Sequence, residues 1–221
     1  MVVNLITSIN PKTILDVPSG DGWLGKELGF STQIDGIDLY RESKSDYRKA
    51  YVANLDDGIP DELSAYDCIV SCEGLEHFGN PELFFRTVFE HLKPSGTLLL
   101  STPNIWYPQA RLQYLLRGFF PSFPSLAGKI KKGNHMHILP WSYPQLYLFL
   151  NLCGFKEIML HDNPLSEAKH FYEKIFALPQ YFYCLKKLKK SDNLVEKDFW
   201  KSAGSKPSLL GRHLIVTARK L

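Results

Sequence analysis

The glycine-rich run from Ile14 to Gly22 (ILDVPSGDG) constrains the fold more than any other segment, because it connects a strand pattern to a helix pattern. Thr13 to Val17 is typical of a short buried strand, and Trp23 to Leu28 has a helical pattern. A strand, a tight glycine turn and a helix N-terminus together form a cradle for part of a nucleotide. Gly20 to Gly25 also satisfies the dinucleotide pattern GxGxxG, although such a short match is weak evidence alone.

Asp16, inside this loop, discriminates between the ligands that such a cradle can hold. A dinucleotide would place a doubly charged pyrophosphate against the turn, where the carboxylate would repel it. S-adenosylmethionine has no phosphate, and a carboxylate attracts both its ammonium group and its sulfonium sulfur. We therefore interpret the loop as an S-adenosylmethionine site. Two alternatives stay open here: an NAD-dependent oxidoreductase, which Asp16 opposes, and a helix-capping aspartate in an ordinary α/β turn.

The size and composition of the chain are those of one globular domain, residues 1–221. Its 221 residues, 44% of them hydrophobic and 22% charged, are enough for a full core. A net charge of +3 does not indicate a nucleic-acid-binding protein. The four cysteines lack the spacing of a metal site, and nothing suggests disulfides. Residues 1–10 lack a signal-peptide pattern, and no apolar run has the length of a membrane span, so we expect a cytoplasmic protein.

Strand and helix patterns alternate, which predicts an α/β fold: a doubly wound, mostly parallel sheet with helices on both faces. A turn at Lys93 to Gly96 is expected to lead into the fifth strand. After the first strand and helix, the predicted strands are Ile34–Leu39, Ala50–Ala53, Tyr66–Ser71, Thr97–Ser101, Phe155–His161 and His213–Ala218, and the predicted helices are Pro81–Leu92 and Tyr143–Cys153.

Two insertions, residues 104–136 and 163–207, interrupt the alternating pattern, and each is interpreted as a substrate-side lid or as a helical hairpin. In the first, basic residues alternate with aromatic ones, which is typical of a surface for an anionic or amphipathic acceptor. Its basic residues are Arg111, Arg117, Lys129, Lys131 and Lys132, and its aromatic ones are Trp106, Tyr107, Tyr114, Phe119, Phe120 and Phe123. In the second, Lys186 to Lys190 follow an aromatic stretch and suggest a peripheral contact with an anionic membrane. Pro179 is expected to interrupt any single long helix there.

Four blocks of sequence carry a family resemblance: ILDVPSGDG, IDGIDL, YDCIVSCEGLEHFGNPELFFRTVFEHLKPSGTLLLSTPN and HMHILPWSYPQLYLFLNLCGF. With these blocks the chain resembles the class I S-adenosylmethionine-dependent methyltransferases, particularly the bacterial group related to the ubiquinone-pathway O-methyltransferases. The resemblance spans most of residues 13–160 and leaves out 163–207. It implies a Rossmann-like methyltransferase fold with a seven-stranded mixed sheet, in which the strand at His213–Ala218 runs antiparallel between the fifth and sixth strands.

The resemblance also implies which residues contact the cofactor. The implied cofactor residues are Asp16, Ser19, Gly20 and Gly22 at its methionine end, Asp38 at the ribose hydroxyls, Asn54 and Leu55 at the adenine, and Cys72 and Glu73 beside the methyl group. The chain departs from the family pattern at two of these segments. Pro18 stands where the first glycine is usual, and Asn54 stands where an aspartate is common.

A metal site is a further implication of the resemblance. Glu73, Glu76 and His77 follow the fourth strand, and His137 precedes the helix at Tyr143. In related enzymes such a Glu-x-x-Glu-His motif supplies metal ligands, and these side chains suit a divalent ion that would acidify a substrate hydroxyl. The alternative is that the same residues make structural hydrogen bonds and a helix cap. Without metal, His77 or His137 would be the general base.

The expected activity is methyl transfer to an oxygen atom of a small-molecule, sugar or lipid-linked acceptor. Two other classes stay open: a non-catalytic S-adenosylmethionine-binding protein, which Pro18 favours, and an RNA 2′-O-methyltransferase. The modest charge and the lack of an added RNA-binding module argue against nucleic acid as a partner. The pattern does not specify an oligomeric state.

Overall fold

A computed structural model of the chain describes residues 1–29, 33–40, 46–121, 128 and 137–221. Its strands are β1 (Thr13–Asp16), β2 (Gln33–Asp38), β3 (Lys49–Val52), β4 (Tyr66–Cys72), β5 (Leu92–Pro103), β6 (Lys156–Leu160) and β7 (His213–Arg219). Its helices are α1 (Val2–Ile9), α2 (Trp23–Leu28), α3 (Pro81–Glu90), α4 (Pro108–Arg117), α5 (Tyr143–Leu152), α6 (Phe171–Lys190), α7 (Leu194–Ala203) and α8 (Lys206–Leu209). Short 3₁₀ turns lie at Leu55–Asp57, Leu75–His77 and Pro164–Ser166.

The seven strands form one mixed sheet in the order β3-β2-β1-β4-β5-β7-β6. Neighbouring strands from β3 to β5 are parallel, whereas β7 is antiparallel to both β5 and β6. This arrangement confirms the fold that the family resemblance implied. The strand order reverses between β1 and β4, and in open α/β sheets ligands bind outside the carboxyl ends of the strands at such a point.

The sheet is buried on both faces, and its central strands accordingly contain consecutive buried apolar residues such as Ile14 and Leu15 or Ile69 and Val70. Leu15 and Ile69 face a cluster with Phe84 and Phe85 of α3, and the cluster also contains Leu146 of α5. The opposite face has a second cluster, formed by Ile6 of α1, Leu24 of α2, Ile14, Val70 and Leu99. Helix α1, which the sequence patterns did not predict, therefore covers part of the sheet.

Two expectations about element boundaries were wrong. The segment expected as a turn, Lys93 to Gly96, lies inside β5, which begins at Leu92. The chain does bend there, since Ser95 has a φ of 64° and the register shifts between Tyr66 and Cys68 of the neighbouring strand.

Pro179 does not end the helix that contains it, because α6 continues to Lys190. Proline has no N–H to donate to the carbonyl of Ile175, four residues before it. The next carbonyl, that of Phe176, accepts a hydrogen bond from Arg111 Nη2 of α4 at 2.7 Å. The neighbouring helix thus contacts α6 at the turn that precedes Pro179.

The described parts of both insertions are helical. The first contributes α4, while Phe123, Lys129, Lys131 and Lys132 lie outside the described residues. The second contributes α6, α7 and α8, and Phe199 of α7 packs against Tyr147 of α5 with a ring-centre distance of 4.8 Å. The role of these insertions as a lid stays a prediction. Within the described ranges, no helix is both long and apolar enough to cross a bilayer.

Candidate functional site

A cavity of about 470 Å³ opens at the carboxyl ends of β1, β2 and β4, where the strand order reverses. Six of the nine residues expected to contact the cofactor line it: Gly20, Asp38, Asn54, Leu55, Cys72 and Glu73. Trp23, Tyr40, His77, Phe78 and Ile138 are among the others that line it. Burial raises the pKa of the Cys72 thiol to about 12, so this side chain offers the cavity a neutral group.

The remaining three expected residues, Asp16, Ser19 and Gly22, do not line this cavity but belong to the strand end and the loop beside it. Asp16 is fully buried and accepts a hydrogen bond from the hydroxyl of Tyr47, whose pKa burial and the neighbouring Asp16 carboxylate raise. Ser19 is buried as well, and its backbone N–H donates to the carbonyl of Ile37. Gly22 caps α2 with a φ of 77°, a conformation that favours glycine.

Asp38 fastens the glycine loop to the end of β2. Its Oδ2 accepts from the backbone N–H of Gly20 at 2.9 Å, and its Oδ1 accepts from that of Tyr40 at 3.1 Å. Each carboxylate oxygen has a second lone pair for a ligand. The carboxylate is therefore both a structural part of the loop and a candidate acceptor for ribose hydroxyls.

Pro18 fits the turn because Gly74 lies directly against it. A Cβ atom built on Gly74 would approach Pro18 Cδ to 2.1 Å, so no larger residue fits there without a shift of the backbone. The turn also keeps two anchors, since Val17 N donates to Val70 O at 2.8 Å and Ser19 N donates to Ile37 O at 2.9 Å. The loop thus closes without the glycine that is usual at position 18 in the family.

A second cavity of about 550 Å³ adjoins the first, and Ile138 lines both. Its wall is largely apolar and aromatic. Helix α4, the segment that follows it and the segment that precedes α5 supply most of these residues. Wall residues include Ile105, Tyr107, Tyr114, Phe119, Phe120 and Leu139. Its polar wall consists of Glu76, Asn104, Gln109, Gln113, His137, Arg212 and His213. The site therefore offers one cavity for a cofactor and a second for an apolar molecule with few polar groups.

Glu73 and His213 connect the two cavities. His213 Nδ1 lies 2.9 Å from Glu73 Oε2, and Ser101 Oγ donates to Glu73 Oε1 at 2.8 Å. The hydrogen bond to Glu73 raises the pKa of His213 above its usual value. Burial alone would raise the pKa of Glu73, but the hydrogen bonds from His213 and Ser101 outweigh burial and keep that pKa low.

Sequence reasoning missed His213 as a functional residue, although one signal was present. The resemblance implied that the last strand is antiparallel, and the first residue of an antiparallel strand lies at the same edge as the last residues of its parallel neighbours. The register places His213 opposite Pro103, near the end of β5. A histidine at that position therefore lies at the edge of the sheet where ligands bind.

Three of the four residues expected to bind metal come together. One ligand atom from each of Glu76, His77 and His137 lies within 4.8 Å of the others, and the two imidazole rings are 5.0 Å apart. Glu76 is 2% exposed and accepts from Thr102 Oγ1 at 2.9 Å, and burial raises its pKa to about 7. Burial is the main cause that lowers the pKa of His137, and electrostatic repulsion by the neighbouring His77 lowers it further.

Glu73 is not part of this group, contrary to the expectation from the motif. Glu73 has a φ of 50°, in the left-handed region, and its carboxylate interacts with His213 and Ser101. Local spacing placed Glu73 and Glu76 three residues apart, but the conformation of the turn directs the two carboxylates to different partners. The donor set that remains, one carboxylate and two imidazoles, suits a divalent transition metal.

A sheet with one antiparallel strand next to its edge, and a cavity where the strand order reverses, defines the fold of the class I S-adenosylmethionine-dependent methyltransferases. A sequence model of the family described as "Methyltransferase domain" matches residues 4–147. The chain therefore belongs to this methyltransferase family.

Two relatives show how far the similarity extends. A ubiquinone biosynthesis O-methyltransferase of Rickettsia canadensis is 30% identical over 185 residues, which are 76% of either chain. The mitochondrial enzyme of the same name from Rattus norvegicus is 32% identical over 136 residues, 55% of this chain and 38% of the relative. The chain thus spans well under half of the rat protein.

Solved structures share the fold at low sequence identity. Human N-acetylserotonin methyltransferase in complex with SAM has a TM-score of 0.53 and 12% identity, over 99% of this chain and 50% of the human one. A putative methyltransferase from Bacillus halodurans has a TM-score of 0.54 and 15% identity, over 99% and 98% of the two chains. At these identities the likeness concerns the fold alone.

Proposed function

We propose that the chain is an S-adenosylmethionine-dependent O-methyltransferase that acts on a hydroxyl group of a small-molecule, sugar or lipid-linked acceptor. The observation that carries the proposal is the Glu73–His213 pair. Glu73 lines the first cavity, His213 lines the second, and Glu73 Oε2 lies 2.9 Å from His213 Nδ1. The name of the Rickettsia relative, an O-methyltransferase, supports oxygen as the methylated atom.

S-adenosylmethionine supplies a methyl group on a positively charged sulfur, so the protein must position two molecules and remove one proton. Asp38 and Asn54 hold the ribose and adenine groups, and the buried Asp16 contributes a negative charge under the loop that receives the cationic end. His213 accepts the hydroxyl proton on Nε2. Glu73 accepts the hydrogen bond from Nδ1 and so selects the tautomer whose Nε2 is free to act as base.

His77 and His137 remain further candidates for the base, since His77 lines the first cavity and His137 the second. Burial lowers the pKa of His137, whereas the hydrogen bond to Glu73, at 2.9 Å, raises that of His213. A carboxylate partner orients an imidazole and increases its basicity. This comparison favours His213 over His137.

The second cavity favours a phenolic or alkyl-bearing acceptor. Aromatic and aliphatic side chains bind apolar rings and chains, while Arg212 and Gln113 offer donors for a few polar groups. A phenol also loses its proton more readily than a sugar hydroxyl, with an ordinary pKa of about 10. RNA fits less well because its recognition relies on extended basic surfaces.

Calorimetry with S-adenosylhomocysteine and with NAD tests the cofactor, and transfer of a tritiated methyl group to phenolic probes tests the reaction. The probes are 3,4-dihydroxybenzoate and an alkylated catechol. We expect S-adenosylhomocysteine binding, no NAD binding, and faster methylation of the alkylated probe. Binding without turnover on phenols, sugars or RNA would favour a non-catalytic protein, and NAD binding alone would refute the proposal.

A divalent metal at Glu76, His77 and His137 is a second proposal, which the donor set supports. When bound, such an ion would lower the pKa of a coordinated hydroxyl. Electron paramagnetic resonance of added Mn²⁺ tests it: binding should be lost in Glu76→Gln and kept in the exposed control Glu82→Gln. Equal Mn²⁺ binding by both variants would show that the ion does not use these residues.

A further inference from the structure

Helix α6 exposes a row of large apolar side chains on the face opposite to the protein interior. Phe171, Ile175, Leu178 and Phe182 recur at intervals of four, three and four residues, which places them on one side of a helix. All four are exposed, Phe171 by 79% and Phe182 by 59%. The side that packs on the protein holds Glu173, Ala177 and Cys184, which are buried.

Further apolar side chains are exposed next to this row on α6, and on helices α4 and α7. They are Tyr172, Phe176, Tyr181 and Tyr183 on α6, Leu115 and Leu116 at the end of α4, and Leu194 and Val195 at the start of α7. We call the row and these residues the α6 surface. Contiguous exposed apolar patches are rare on monomeric soluble proteins and usually mark an interaction site.

The charge of α6 is almost entirely positive. Its charged residues are five lysines, Lys174, Lys186, Lys187, Lys189 and Lys190, and one glutamate, the buried Glu173. Among the described residues, none of the five lysines forms a salt bridge. Four of them lie in the last turns of the helix, after Phe182, the last residue of the apolar row.

We propose that the α6 surface docks on an anionic lipid bilayer, with the aromatic row in the acyl boundary and the lysines at the headgroups. An interfacial helix needs a broad apolar face with Lys or Arg side chains beside it, and α6 has both. A second copy of this chain would cover the apolar row, but α6 offers no exposed acidic side chain that could neutralise the lysines of the copy. Anionic headgroups instead neutralise them.

The α6 surface lies next to the second cavity, and the role inferred from this position rests on the proposed function. Helix α4 is bound to α6 by Tyr107 Oη, which donates to Glu173 Oε1 at 2.5 Å, and by Arg111. The last turn of α4 supplies both the exposed Leu115 and Leu116 and the cavity residue Tyr114, which stacks on Phe120. The apolar surface therefore adjoins the apolar second cavity, as a lipid-linked acceptor would require.

Co-sedimentation with lipid vesicles tests the docking without any acceptor or cofactor. The vesicles are phosphatidylcholine alone, or phosphatidylcholine with about a third phosphatidylglycerol. We expect binding to the anionic vesicles to be at least about tenfold tighter, and to weaken about tenfold when salt is raised to about 0.5 M. Comparable binding to both vesicle types, or to neither, would overturn the proposal.

Two variants and matched controls locate the contact. Phe171→Ser with Phe182→Ser should reduce the vesicle affinity by about tenfold or more, because each exposed ring loses its apolar burial. Lys186→Gln, Lys189→Gln and Lys190→Gln together should remove the preference for anionic lipid. The controls are Met159→Ser, exposed on β6, and the triple change Lys12→Gln, Lys49→Gln and Lys156→Gln elsewhere on the surface.

The controls should bind like wild type, and equal losses in control and test variants would refute the assignment to α6. Sedimentation equilibrium tests the alternative, that a second copy of the chain covers the α6 surface. The membrane proposal would be overturned if the wild type were a dimer that bound no vesicles, and if Phe171→Ser with Phe182→Ser made it monomeric. Since vesicle binding needs no methyl transfer, its failure and the failure of the proposed activity are separate results.

Discussion

His213 Nδ1 lies 2.9 Å from Glu73 Oε2, although 140 positions separate the two residues in the chain. The antiparallel course of β7 brings His213 to the edge of the sheet at which β4 ends, and Glu73 follows β4 directly. Their pairing places an imidazole on the wall of the second cavity and its carboxylate partner on the wall of the first. The antiparallel strand thus contributes directly to the candidate site.

His213→Gln should reduce methyl transfer to a phenolic acceptor by about 10²- to 10⁴-fold, the usual contribution of a general base. A glutamine amide can still donate to Glu73, but it cannot take up a proton at neutral pH. Calorimetry should show S-adenosylhomocysteine affinity within about twofold of wild type, because His213 does not line the first cavity. The control is His161→Gln, since His161 bonds Thr217 away from both cavities. Unchanged turnover in His213→Gln would assign the base to His77 or His137 instead.

Asp38→Ala should weaken S-adenosylhomocysteine binding by about 1.5–3 kcal/mol, the range for hydrogen bonds to a charged group. The substitution removes a ribose acceptor, and it also releases Gly20, whose N–H donates to Asp38 Oδ2 at 2.9 Å. Isothermal titration measures the loss. Asp57→Ala is the matched control, because Asp57 is exposed and outside the cavity. An affinity loss below about twofold in Asp38→Ala would argue that the ligand lies elsewhere.

Residue patterns alone predicted the parts of the molecule that are fixed by contacts within short segments, whereas the order of the sheet came from the family resemblance. The strand, glycine loop and helix from Thr13 to Leu28 follow from local periodicity, and α2 has the predicted bounds. Helix α6 continues through Pro179, and in the turn before it the carbonyl of Phe176 accepts from Arg111, 65 positions earlier, a contact that sequence patterns do not reveal. The pairing of Glu73 depends likewise on the register of β7 and on a left-handed backbone conformation at a residue other than glycine.

Tyr47→Phe should destabilise the fold by about 1–3 kcal/mol, because it removes a hydrogen-bond donor from the fully buried carboxylate of Asp16. The tyrosine ring itself fills the space beside Gly36, where a Cβ atom would approach it to 2.7 Å, so phenylalanine keeps the packing. Urea unfolding of the variant, with the exposed Tyr181→Phe as control, measures the change. If the two variants were equally stable, the Tyr47 hydroxyl would contribute nothing to the loop.

Asp67→Asn should destabilise the protein at neutral pH by about 1–2 kcal/mol, and the difference from wild type should vanish in acid. Asp67 accepts from the backbone N–H and hydroxyl of Thr13 and from Lys93 Nζ, each at 2.9 Å. Burial alone would raise the pKa of Asp67, but these bonds outweigh it and hold the pKa below its usual value.

The sign of the pH dependence follows from that lowered pKa. The folded state then binds the proton less tightly than the unfolded chain, whose aspartates titrate near pH ~3.9. The stabilisation by Asp67 is complete above that unfolded value and is lost as the pH falls through the folded one. Urea unfolding of wild type, Asp67→Asn and the exposed control Asp61→Asn at about pH 7 and about pH 2 measures the effect. A difference that persisted or grew in acid would show that packing, not the ionised carboxylate, stabilises this contact.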